Sequence, residues 1–193
     1  MYDSVTARDI PANAQMVAGY VDGLYRWSQA DWDRFPQAVK VRIAVLASTD
    51  DGHVLDVETG DATPTEYPAW AKRRIAAGTY PTVYCNRSNL GAVLDAVDGA
   101  GLHGITGIWL ADWTDVPHLV AGTSATQYDH PPHSGGHYDL SLVADHWPGV
   151  DPPPPLPRPG PGPGPEPGTS EGPLPAWLNG IVDWILRLLR LRS

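Results

Sequence analysis

The chain has 193 residues, room for one domain with an appendage but not for two full domains. Its formal net charge is −9, and no cluster of Lys and Arg is large enough to hold a phosphate backbone, which argues against nucleic acid as a partner. A single cysteine rules out an internal disulfide framework and a Cys-rich zinc site.

Short apolar, β-branched runs predict strands over residues 1–5, 17–21, 39–47, 54–57, 82–85, 107–111, 125–128 and 138–143. Cys85 falls in the fifth of these, where a thiol acts as a small hydrophobe. Helical patterns over 64–77 and 89–100 start where Thr, Ser or Asn can cap them. Strands alternating with helices mean parallel pairing, and about eight strands is the number that closes a packed barrel. At 150 residues the domain is short for a (β/α) barrel, and too few residues separate 39–47 from 54–57 to hold a helix. The expected fold is therefore an α/β, shortened TIM-type barrel over residues 1–150.

Residues 151–173 are a Pro/Gly-rich linker, with Pro152-Pro153-Pro154-Pro155 and an alternating Pro-Gly run after it. Residues 174–193 read as an amphipathic helix with Trp177, Ile181, Val182, Ile185, Leu188 and Leu189 at helical spacing. It is too short to span a bilayer and carries Asp183, so its expected partner is a membrane surface or another protein. Residues 1–150 hold nine basic and eighteen acidic side chains, so the domain carries all of the net charge.

The predicted strands end in polar residues: Asp22, the pair Asp56 and Glu58, Asn86, Asp112 and Asp129. In a parallel barrel these ends open on one face, where catalytic residues sit. Within Val54-Leu55-Asp56-Val57-Glu58, side chains alternate, so both carboxylates project to the same side with Cα atoms about 6.5–7 Å apart. One charge at that range raises the proton affinity of the other, which suits acid/base cleavage of a glycosidic bond. Two ordinary acids at a solvated strand end would show the same pattern. Eight Trp and eight Tyr against one Phe supply rings with polar handles, and Trp109, Trp113 and Tyr128 lie where they can stack on sugars or simply pack. The segment His130-Pro131-Pro132-His133-Ser134-Gly135-Gly136-His137 offers zinc-ligand chemistry, but its spacing matches no established site. No Gly-x-Ser-x-Gly elbow is present, which argues against a serine hydrolase.

A resemblance joins these features. Asp3-Ser4-Val5, Leu55-Asp56-Val57-Glu58-Thr59-Gly60-Asp61, Pro81-Thr82-Val83-Tyr84-Cys85-Asn86, Ile108-Trp109-Leu110-Ala111-Asp112-Trp113, Ala125-Thr126-Gln127-Tyr128 and Tyr138-Asp139-Leu140-Ser141 follow in order. Together they resemble the strand ends of family 25 glycoside hydrolases, the muramidases that include many phage and bacterial lysozymes. The similarity is closer still to glycoside-hydrolase-like proteins of actinobacteria and their phages, and covers about residues 2–145. It implies a peptidoglycan substrate cut at a β-1,4 bond, with Glu58 as general acid/base, Asp56 as the assisting carboxylate, and Asp3 and Asp139 as flanking acids. The polar and aromatic residues at the strand ends, Asp22, Tyr84, Asn86, Trp109, Asp112, Gln127 and Tyr128, are expected to bind the substrate; the resemblance implies no metal, and no cofactor is expected. The first strand lacks the family's Gly-Ile-Asp opening, which leaves a second reading: an inactive glycan-binding or structural module of a phage tail or exported apparatus. The start of the chain shows no basic region followed by an apolar stretch, so no signal peptide is expected. The protein is then made in the cytoplasm and reaches the cell wall by phage-like release or within a particle.

Overall fold

A computed structural model describes residues 1–152. The proline-rich segment and terminal helix expected beyond Pro152 lie outside the described residues. Eight strands, β1 (Tyr2–Asp3), β2 (Met16–Tyr20), β3 (Val39–Ala44), β4 (Val54–Asp56), β5 (Thr82–Asn86), β6 (Gly107–Ala111), β7 (Ala125–Asp129) and β8 (Asp139–Val143), close into a barrel in chain order. The described helices are α1 (Gln29–Asp33), α2 (Tyr67–Ala76) and α3 (Arg87–Gly99), with a 3₁₀ turn at Ala7–Asp9. This is the shortened α/β barrel expected from the strand count, with no helix between β3 and β4.

One part of that expectation changes. Strands β1 to β7 are parallel, but β8 runs antiparallel to both β7 and β1. Only residues 130–138 join β7 to β8, and a parallel return needs a crossover of a dozen residues or more. The reversal places the first residue of β8, Asp139, at the same end of the barrel as the last residues of the other strands.

Alternation along the strands builds two apolar layers. Leu55, Val57, Val83, Cys85 and Leu110 face outward against Tyr67, Trp70 and Ala71 of α2 and Val93 and Val97 of α3. Val41, Ile43, Val54, Tyr84, Trp109, Ala111 and Ala125 face inward, and Trp147, fully buried, joins them from the segment after β8. The Trp147 indole donates to Thr82 Oγ1 at 2.8 Å, at the first residue of β5, and packs edge-to-face on Trp109 at 5.8 Å. It thereby closes the end of the barrel where the parallel strands begin.

Residues 28–34 show no helical period, yet α1 forms there because Ser28 and Asp31 build a capping box. Asp31 N–H donates to Ser28 Oγ at 3.3 Å, and Ser28 N–H donates to Asp31 Oδ2 at 2.9 Å. In front of it the Trp27 indole lies against Gly19 of β2, a contact that leaves no space for a Cβ. At α3, Asn86 Oδ1 accepts from Asn89 N–H at 3.0 Å, so the residue that ends β5 also caps the next helix.

Candidate active site

At the opposite end from Trp147, the inward-facing residues surround a cavity of about 140 Å³ lined by Asp3, Tyr20, Ile43, Asp56, Glu58, Tyr84, Trp109, Trp113, Gln127 and Asp139. Asp56 is the last residue of β4. The extended backbone carries on past it, with Val57 N–H donating to Tyr84 O at 2.9 Å. Asp56 and Glu58 therefore keep the strand's alternation and both reach the cavity, with Asp56 5% exposed and Glu58 half-buried.

Asp3 and Asp139 stand directly opposite each other in the β1–β8 ladder. Gln127 Nε2 donates to Asp3 Oδ2 at 3.0 Å and to Asp139 Oδ2 at 3.1 Å. Its Oε1 accepts from the Tyr84 hydroxyl at 2.7 Å and from Trp113 Nε1 at 3.0 Å. An indole N–H can only donate, so the amide can face only one way, and all four of its hydrogen-bonding positions are filled. Trp109 Nε1 donates to Ser141 Oγ at 3.0 Å. Asn86 Nδ2 donates to Glu58 Oε1 at 3.2 Å, so the cap of α3 also steadies Glu58. Asp3 Oδ1 and Asp56 Oδ1 are buried without a hydrogen-bond partner.

All four carboxyls hold their protons more tightly than usual, and burial is the leading cause for each. Asp56 is raised well above the ordinary range, with the charges of Glu58, Asp61 and Asp3 adding to burial. Glu58 is raised by burial and by Asp61, against the hydrogen bond from Asn86. Asp3 is raised by burial and by Asp139, while Gln127 opposes. For Asp139, Asp129 and Glu58 add to burial and His130 opposes. Burial and mutual repulsion thus favour the protonated form of each of these carboxyls over that of a carboxyl in water.

Of the residues expected to bind substrate, the cavity brings together Tyr84, Trp109 and Gln127. The others lie elsewhere. Asp22 accepts from Val45 N–H at 2.7 Å, Leu46 N–H at 3.2 Å and the Thr49 hydroxyl, tying down the connection from β3 to β4. Asp112 is held by the Arg87 guanidinium and by His118 Nε2 at 2.9 Å, and its carboxyl is pulled down to about 2. Tyr128 is half-buried and, one residue from the inward Gln127, does not line the cavity. Asn86 touches the site only through Glu58. Tyr20 and Ile43 line the cavity and were missed, although the alternation Ala18–Tyr20 and Val41–Ile43 could have placed them. In the His130–His137 segment, the His130 ring packs on Trp113 at 5.1 Å and on His133 at 5.7 Å. Among the described residues, the potential metal ligands that gather are Asp115, Asp129 and His130 rather than the three histidines.

Fold and site together define a closed α/β barrel with an acid-lined cavity at one end. No protein-family model matches the chain, and no curated protein matches it. Among solved structures, it aligns with a muramidase from Trichobolus zukalii at 14% identity and a TM-score of 0.48, over 74% of this chain and 93% of that one. It also aligns with the Tat-secreted protein Rv2525c of Mycobacterium tuberculosis, solved with HEPES, at 12% identity and a TM-score of 0.41, over 75% of this chain and 94% of that one.

Proposed function

We propose that this protein is a glycoside hydrolase of muramidase type, cleaving β-1,4 bonds of peptidoglycan by carboxylate acid/base chemistry. The observation that carries the reading is the convergence of Asp56 and Glu58 in one aromatic-walled cavity, in the order of motifs that resembles the family 25 enzymes. Glu58, half-buried and steadied by Asn86, protonates the leaving glycosidic oxygen. Asp56, deeper in the cavity, attacks the anomeric carbon or orients a neighbouring group of the sugar to do so. Asp3 and Asp139, bridged by Gln127, fix the far wall.

A second reading is a glycan-binding module without turnover. It is favoured by the burial of Asp56, which raises that carboxyl's proton affinity and so opposes the ionised form that an attack needs. Reducing-end release from purified peptidoglycan separates the two readings. For the hydrolase, Glu58→Gln lowers release by about 10²–10⁴-fold with the thermal melt unchanged. Undiminished release by that variant sinks the assignment of Glu58, and no release by wild type together with saccharide binding favours the module.

A further inference from the structure

We infer that Asp115, Asp129 and His130 form a zinc site at the rim of the barrel, outside the acid-lined cavity. One ligand atom from each lies within 4.8 Å of the others. The fold brings them together from two segments. Asp129 ends β7 at the register shift between Gln127 and Asp129, and His130 follows it. Asp115 arrives on the loop after β6, where its N–H donates to Tyr128 O at 2.8 Å. Two observations point to a ligand in the middle of this group. Asp129 is 9% exposed, and the one donor its carboxylate meets among the described residues is the N–H of His130, at 2.8 Å. His130 Nδ1 is buried with no hydrogen-bond partner. Among the described residues no Lys or Arg pairs with Asp115 or Asp129, although like charges at this range repel unless a cation stands between them. A bare metal ion is smaller than a water molecule, so it can sit among atoms that water does not reach.

The donor set selects the metal. Two carboxylates and an imidazole suit zinc, which takes Asp and His at about 2.0–2.2 Å and is content with three protein ligands and a water. Calcium asks for six or more oxygens, which this group does not supply. Bonds to zinc draw the three atoms inside the 4.8 Å that now bounds them, and Asp115, being exposed, has the freedom to close the gap. The consequence falls on a neighbouring wall. His130 packs on Trp113 at 5.1 Å, and Trp113 precedes Asp115 by two residues on the same loop, so the ion fastens that loop and the Trp113 side of the cavity to the end of β7. None of the three ligands lines the cavity itself. The ion therefore takes no part in the glycosidic chemistry proposed above, and the two readings stand independently.

The test is calorimetric titration of the chelator-stripped full chain with zinc chloride and, separately, calcium chloride at pH 7, followed by thermal melts with and without zinc. The expected result is about one equivalent of zinc bound, at least tenfold tighter than calcium, with a raised melting temperature. Zinc affinity falls by about tenfold or more in Asp115→Asn and in His130→Ala. Residue 115 has a left-handed backbone, φ 58°, which Asn adopts as readily as Asp, so that variant removes the charge and leaves the loop intact. Asp98→Asn, at the separate and exposed His103 pair, leaves zinc binding unchanged. Zinc-free melts check that each variant folds. Absence of zinc binding, binding that survives both Asp115→Asn and His130→Ala, binding lost in Asp98→Asn instead, or calcium held as tightly as zinc would overturn the inference.

Discussion

The two ends of the barrel are built on opposite terms. At the end where the parallel strands begin, Trp147 is fully buried, its indole N–H meets Thr82 and its backbone N–H donates to Asp151 Oδ2 at 2.7 Å. At the other end, four carboxyls crowd one cavity and two of their oxygens are left without partners. Trp109 is the partition, packed on Trp147 below and on Tyr84 above at 4.9 Å. The satisfied end holds the barrel together, and the other end gathers the buried carboxyls where the parallel strands finish.

Substitutions at the two ends should therefore differ in size and in sign. The largest loss of stability is expected for Trp147→Ala, which empties the closed end and leaves the Thr82 hydroxyl without its donor, at about 3–5 kcal/mol in urea denaturation. Next comes Gln127→Leu, which strands the Tyr84 and Trp113 donors together with two carboxylates. It is expected to lose about 2–3 kcal/mol and to be measured in the same way.

Asp3→Asn should go in the other direction. A carboxyl whose pKa is raised by folding stabilises fully below its unfolded value, near 4, and that contribution is lost as pH rises through the folded value. Wild type is thus expected to weaken from pH 4 towards pH 8. The variant should show a shallower slope and be more stable at pH 8, by on the order of 1–2 kcal/mol, in thermal melts across that range. The smallest effect is expected for Asp112→Asn, outside the cavity. Its pair with the exposed Arg87 is screened by solvent, so little stability rides on it. Because this carboxyl is held down to about 2, the contribution is present above pH 4 and disappears as pH falls towards 2, which melts at pH 3 and pH 7 compare.

The strands were legible because period-two patterning and turn residues act locally. The expected 82–85 and 107–111 stand beside Thr82–Asn86 and Gly107–Ala111, and the inward pairing of Asp56 with Glu58 follows from the same alternation. The direction of β8 was not read, although the length and Pro/Gly content of 130–138 contained it. Helix α1 was missed because five residues show no period, while its capping box was in plain view as Ser28-x-x-Asp31. Asp22 and Asp112 look the same in sequence as Asp56. What separates them is the partner each meets: Thr49 and two backbone amides for one, Arg87 and His118 for the other. The hub at Gln127 joins residues from four strands and the loop after β6, which no local pattern encodes.

The β1–β8 ladder has only two residue pairs, Tyr2 with Leu140 and Asp3 with Asp139, and it joins the two most distant strands of the chain. Pairing across so long a loop carries a large closure entropy. At this seam the contact brings two like carboxyls face to face. Closing the barrel there raises their hold on hydrogen ions, so the closed ring is favoured by acidity.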